Sequence, residues 1–141
     1  MNIIEFFDQN WQLQKWQQGF SKRERTLLTG LSGTAKSLVM ANAYENVADK
    51  YIIVTDSQFH ANELYDELST LLGEEKVFQF FSDDNIYAEF ALASKDRVAY
   101  RLEALNFLLD EKSTGFLVVP FLALRSYLPS PENFLENYLL L

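Results

Sequence analysis

Apolar and polar positions along the chain fall into blocks whose period changes. Ile3, Phe6, Phe7 and Trp11 recur at helical spacing behind Asn2, which suits a helix cap. A second helical piece is predicted to Gln18, with Gly19 as its stop. Ser21 to Arg25 reads as a charged connection, and Thr26 to Thr29 as a short first strand. Lys36 to Ala48 is predicted helical, with Leu38, Val39, Ala43 and Val47 on one side. Tyr51 to Thr55 is a nearly continuous apolar strand, the pattern of a parallel sheet covered on both faces. Ser57 caps a helix to Leu72 that Gly73 closes. Val77 to Phe81 is a third strand, and Ser82 to Phe90 is acidic and irregular. Ser94 caps a long helix to about Glu111, with Val98, Leu102, Leu105 and Leu109 as its stripe. Phe116 to Val119 is a fourth strand, Phe121 to Tyr127 a short helix, and Pro131 opens a last helix.

Strands alternate with helices throughout. The expected fold is therefore α/β, an open parallel sheet flanked by helices. Between the first strand and its helix lies Gly-Leu-Ser-Gly-Thr-Ala-Lys-Ser, residues 30 to 37. The phosphate-binding loop of nucleotide hydrolases reads G-x-x-x-x-G-K-[ST]. Gly30, Lys36 and Ser37 match it, and Ala35 replaces the second glycine. In a working loop consecutive backbone N–H groups wrap a phosphate, and a Cβ there crowds the ligand. The pattern predicts half of a P-loop NTPase of the RecA or helicase type whose phosphate loop is degenerate. Its candidate residues are Gly30, Gly33, Ala35, Lys36 and Ser37, expected to be inactive, with no catalytic residue and no metal ligand.

Composition narrows the function. The 141 residues suit one domain with a real core, and 48% hydrophobic residues make a folded chain the expectation. A net charge of −8 disfavours a large nonspecific DNA surface. Without cysteine there are no disulfides or thiolate metal sites, and the single His60 leaves little for a triad or histidine cluster. The N-terminus has no basic signal region, and the run Phe116 to Leu124 is broken by Pro120 and too short to span a bilayer. A cytoplasmic protein with no membrane partner is expected. The apolar end, Tyr138 to Leu141, reads as a strand cut short, so the chain is expected to be a fragment. The predicted divisions are an N-terminal helical segment at 1–20, the α/β domain at 21–137 and the start of a following strand or domain at 138–141.

Other residues offer weaker chemistry. A P-loop ATPase needs a carboxylate for Mg²⁺, usually after an apolar strand, yet Ile52 to Val54 leads into Asp56 alone and Phe116 to Val119 into Pro120. Asp83 and Asp84 suit a cation but also a solvated loop. Arg97 and Arg101, four apart on the long helix, suit phosphate or another domain, but also intrahelix pairing. Trp11 and Trp16, with Phe6, Phe7 and Phe20, suit base stacking or packing on the domain.

The loop and its apolar helix, followed by Arg101-Leu-Glu-Ala-Leu, the run Phe116 to Leu124 and Ser130-Pro-Glu, resemble the N-terminal region of the bacterial transcription-repair coupling factors. That region is similar to UvrB, the helicase-like component of the Uvr excinuclease, and the resemblance spans about residues 20 to 141. Coupling factors carry a degenerate loop here, whereas UvrB keeps an intact one. UvrB also places a tyrosine-rich DNA-clamping hairpin before the long helix, and Ser82 to Ala93 is too short for it. The resemblance implies a multidomain ATPase that pushes stalled RNA polymerase off damaged DNA and recruits UvrA, another component of the Uvr excinuclease. Its ATP, Mg²⁺ and DNA contacts would belong to a distant motor, and this segment needs no cofactor. Two readings follow: a non-catalytic scaffold touching the parent's other domains, or an active ATP-binding helicase lobe using residues 30–37. A receiver-like domain is a third, but there the acids follow the first strand, and here Thr29 and Gly30 do.

Overall fold

The computed structural model describes residues 5–22, 24–81 and 94–138. Its helices are α1 (Trp11–Ser21), α2 (Ala35–Asn46), α3 (Gln58–Leu72), α4 (Ser94–Leu109) and α5 (Pro131–Tyr138). The strands are β1 (Lys50–Thr55), β2 (Val77–Gln79) and β3 (Gly115–Pro120). They form a parallel three-stranded sheet in the order β1-β3-β2, with Ile53 opposite Val118 and Phe78 opposite Leu117. The α/β class and the parallel sheet are as the alternating pattern predicts.

β3 is the centre. All six of its residues are buried. Phe116 and Val118 point to a cluster with Ala41 and Tyr44 of α2, Ala61 and Leu68 of α3, and Val77. Leu117 and Val119 point the other way, to Ala104, Leu105 and Phe107 of α4, Ala123, and Phe134 of α5. Such two-sided burial selects a continuous apolar run with β-branched residues. Entry to the strand depends on Gly115 (φ +145°), where a Cβ would lie 2.3 Å from the Lys76 carbonyl oxygen. Lys50 ties β1 to the end of α4: its ammonium donates to the carbonyls of Leu108 at 3.2 Å and Asp110 at 2.8 Å.

Local signals explain the helix ends. The Ser57 hydroxyl accepts from the His60 N–H at 3.2 Å, and Gly73 closes α3 at φ +95°. Asn10 caps α1 by accepting from the N–H groups of Gln12 and Leu13, whereas the cap expected of Asn2 lies outside the described residues. A polar network fastens this N-terminal segment to α2. Asn42, 1% exposed, donates to the Asp8 carboxylate at 2.6 Å and accepts from Gln17 at 2.6 Å. The Asn42 amide, with that of Asn46, holds the Asp8 carboxyl below its ordinary range.

Several expectations need correction. Residues 24–29 form no strand, and Leu27 is 88% exposed. Among the described residues the sheet ends at β1, and residues 24–29 do not pair with its open edge. Gly19 does not stop α1. It is buried inside the helix, where a Cβ would press on the Thr26 methyl at 3.0 Å, so close approach explains the glycine. β1 is covered on one face only: Ile52 and Val54 are 57% and 49% exposed on the side where α4 covers the sheet farther along. Val98 is likewise exposed, and the buried face of α4 is concentrated at Ala104, Leu105 and Phe107. Phe121–Arg125 forms a short 3-10 turn in place of a longer helix. The acidic stretch with Asp83 and Asp84 lies outside the described residues.

Gly115→Ala is expected to destabilise the domain by about 2 kcal/mol or more, because strain and a backbone clash coincide; chemical denaturation checks this. Leu105→Asp is expected to unfold it, since a buried unpaired carboxylate costs several kcal/mol, on the order of a small domain's stability. A cooperative melt like that of the unmodified chain would show that α4 presents a different face to the sheet.

Candidate functional site

Residues 30–37 turn from the irregular segment into α2. Gly30 (φ +84°) and Gly33 (φ +54°) take left-handed backbone that other residues resist. Ala35 begins the helix, Lys36 is exposed, and Ser37 is fully buried. The turn is closed on itself. The Ala35 N–H donates to the Ser32 carbonyl at 3.3 Å, and the Lys36 N–H to the Gly33 carbonyl at 3.2 Å. Thr34, the residue before α2, makes no side-chain cap.

Its hydroxyl crosses instead to α3, donating to Glu67 Oε1 at 3.1 Å. The Ser37 hydroxyl donates to Glu67 Oε2. One carboxylate therefore bridges two loop hydroxyls from thirty residues away. Sequence reasoning missed Glu67 because it sought an acid after a strand. No local pattern separates Glu67 from Glu63 and Asp66 on the same helix, and only the packing of α2 against α3 selects it.

These groups border a cleft of about 490 Å³ between the start of α2, the end of β1 and α3. Clefts beyond the carboxyl ends of strands are the usual ligand position in open α/β sheets. The lining brings Lys36 together with three carboxylates, Asp56, Glu63 and Glu67. Asp56, the acid singled out after β1, pairs with His60, whose Nδ1 lies 2.5 Å from Oδ1. That hydrogen bond holds the Asp56 carboxyl below its ordinary value of 3.8.

The other candidates lie elsewhere. Arg101 is held between the Tyr127 carbonyl and the Phe80 ring, 5.4 Å from its centroid, so α4 uses it to bind the segment after β3. Arg97 falls in α4, Trp11 is exposed and Trp16 is half-buried. Among the described residues no group of three or more histidine, aspartate or glutamate side chains is placed to hold a metal. Among them also, no helix is long and apolar enough to cross a membrane.

The chain is 33% identical over 116 residues, 82% of its length, to the transcription-repair-coupling factor of Bacillus subtilis (strain 168). It is a homologue of the transcription-repair-coupling factors, as an N-terminal domain of such a factor would be. Factors of Staphylococcus aureus are 28% identical over 76% of the chain (strain bovine RF122 / ET3-1) and 26% identical over 80% (strain USA300). The chain spans about a tenth of the length of these coupling factors. No family model matches the chain, and no solved structure matches it.

A lowered carboxylate pKa contributes stability above the unfolded value of 3.8, and that contribution is lost as pH falls through the folded value. His60→Ala is expected to raise the Asp56 titration midpoint toward 3.8, as followed by carboxyl carbon NMR. The melting temperature at pH 7 is expected to change little, because the pair is solvent-screened. A midpoint that stays put would contradict the hydrogen bond as the cause.

Proposed function

We propose that this chain is a non-catalytic scaffold and interaction domain of a transcription-repair coupling ATPase. The closed turn carries this reading. A P-loop binds phosphate with outward backbone amides, and here the Ala35 and Lys36 amides are occupied by the carbonyls of Ser32 and Gly33. Three carboxylates against one lysine around the cleft further oppose a phosphate chain. The residues present do not fit ATP·Mg, and the degenerate loop is retained as a strand-free turn that starts α2.

Homology to the coupling factors supports the setting. The parent would displace RNA polymerase stalled at DNA damage and recruit excision repair through UvrA, with its ATP and Mg²⁺ in a motor elsewhere. The segment's own partners would be other domains of that parent. Apolar side chains left open on the sheet and around it, Ile52, Val54, Phe121 and Tyr127, supply a surface for such contacts.

Purified protein is expected to show no ATP hydrolysis, with or without duplex DNA, and ATP·Mg affinity weaker than about 1 mM by calorimetry. Turnover that disappears in Lys36→Ala would overturn the reading. Duplex DNA binding is expected to be weak and to fade steeply with salt.

A further inference from the structure

Glu67 reaches into the loop at the two side chains best suited to an anion or its metal. In a working P-loop the serine after the lysine places its hydroxyl on Mg²⁺. Here the Ser37 hydroxyl, fully buried, donates to Glu67, and so does Thr34 across 3.1 Å. The carboxylate is itself an oxyanion, so it answers the hydroxyl donors and the positive end of α2 as a phosphate oxygen would. It is also covalently attached to α3, so it meets no association cost each time it returns.

We propose that Glu67 is a tethered occupant of the phosphate loop, an intramolecular carboxylate that keeps phosphate-class anions out. The inference rests on the non-catalytic reading of the loop and names the side chain that enforces it. Lys36 lines the same cleft as this carboxylate, so an anion drawn by the lysine would have to displace Glu67 from the two hydroxyls.

The test titrates inorganic pyrophosphate calorimetrically into the unmodified chain, Glu67→Ala, Glu67→Gln and the double variant Glu67→Ala/Lys36→Ala. The glutamine keeps the side chain's length, an acceptor oxygen for one hydroxyl and an NH2 that can donate to the other, so it preserves the packing while removing the charge. Both single variants are expected to bind pyrophosphate at least about tenfold tighter than the unmodified chain, as loss of one nearby charge allows. The gain is expected to vanish in the double variant. Folded single variants that bind no tighter overturn the proposal. So does a loss of stability without any gain in binding, which would make Glu67 a staple between α2 and α3 and nothing more. A gain that survives Lys36→Ala also overturns it, because the anion would then sit elsewhere. None of these outcomes touches the scaffold reading, which falls only if the unmodified chain itself binds or turns over ATP.

Discussion

Burial of β3 on both faces is the constraint from which the rest follows. Phe116 and Val118 need cover on one side, Leu117 and Val119 on the other. With only three strands among the described residues, the sheet is too narrow to share that demand among several strands. α2 and α3 therefore pack over one face, and α4, α5 and the turn after β3 over the other. Gly115 is the entry condition, since no side chain fits between the start of β3 and Lys76.

The site is a by-product of this packing. Once α2 and α3 lie on the same face, the polar side of α3 is brought against the beginning of α2. Glu67 then meets Thr34 and Ser37, and the pair Asp56 and His60 closes the other side of the cleft. The Ala35 and Lys36 amides bond within the turn, and the Thr34 and Ser37 hydroxyls bond to a carboxylate.

Much of the fold was legible because its signals are local. Ser57 and Gly73 bracket α3, Pro131 opens α5, and the apolar runs at 51–55 and 116–119 mark the two longer strands. The failures share a cause. Whether Thr26 to Thr29 pairs, whether Gly19 ends a helix, and whether Ile52 is covered all depend on what lies opposite in space. The candidate site divides the same way. Residues 30–37 were readable as a turn into a helix, with Gly30 and Gly33 at positive φ. Glu67 was not, because its role is defined by contacts with residues thirty or more positions away.

The central claim is that the loop is satisfied from within. Amide NMR of residues 33–37 during addition of ATP·Mg tests it most directly, because it reads the groups a phosphate would engage. The account predicts that the Gly33, Ala35, Lys36 and Ser37 resonances stay in place up to millimolar nucleotide. Saturable shifts centred on those four residues, with a micromolar midpoint, would contradict it.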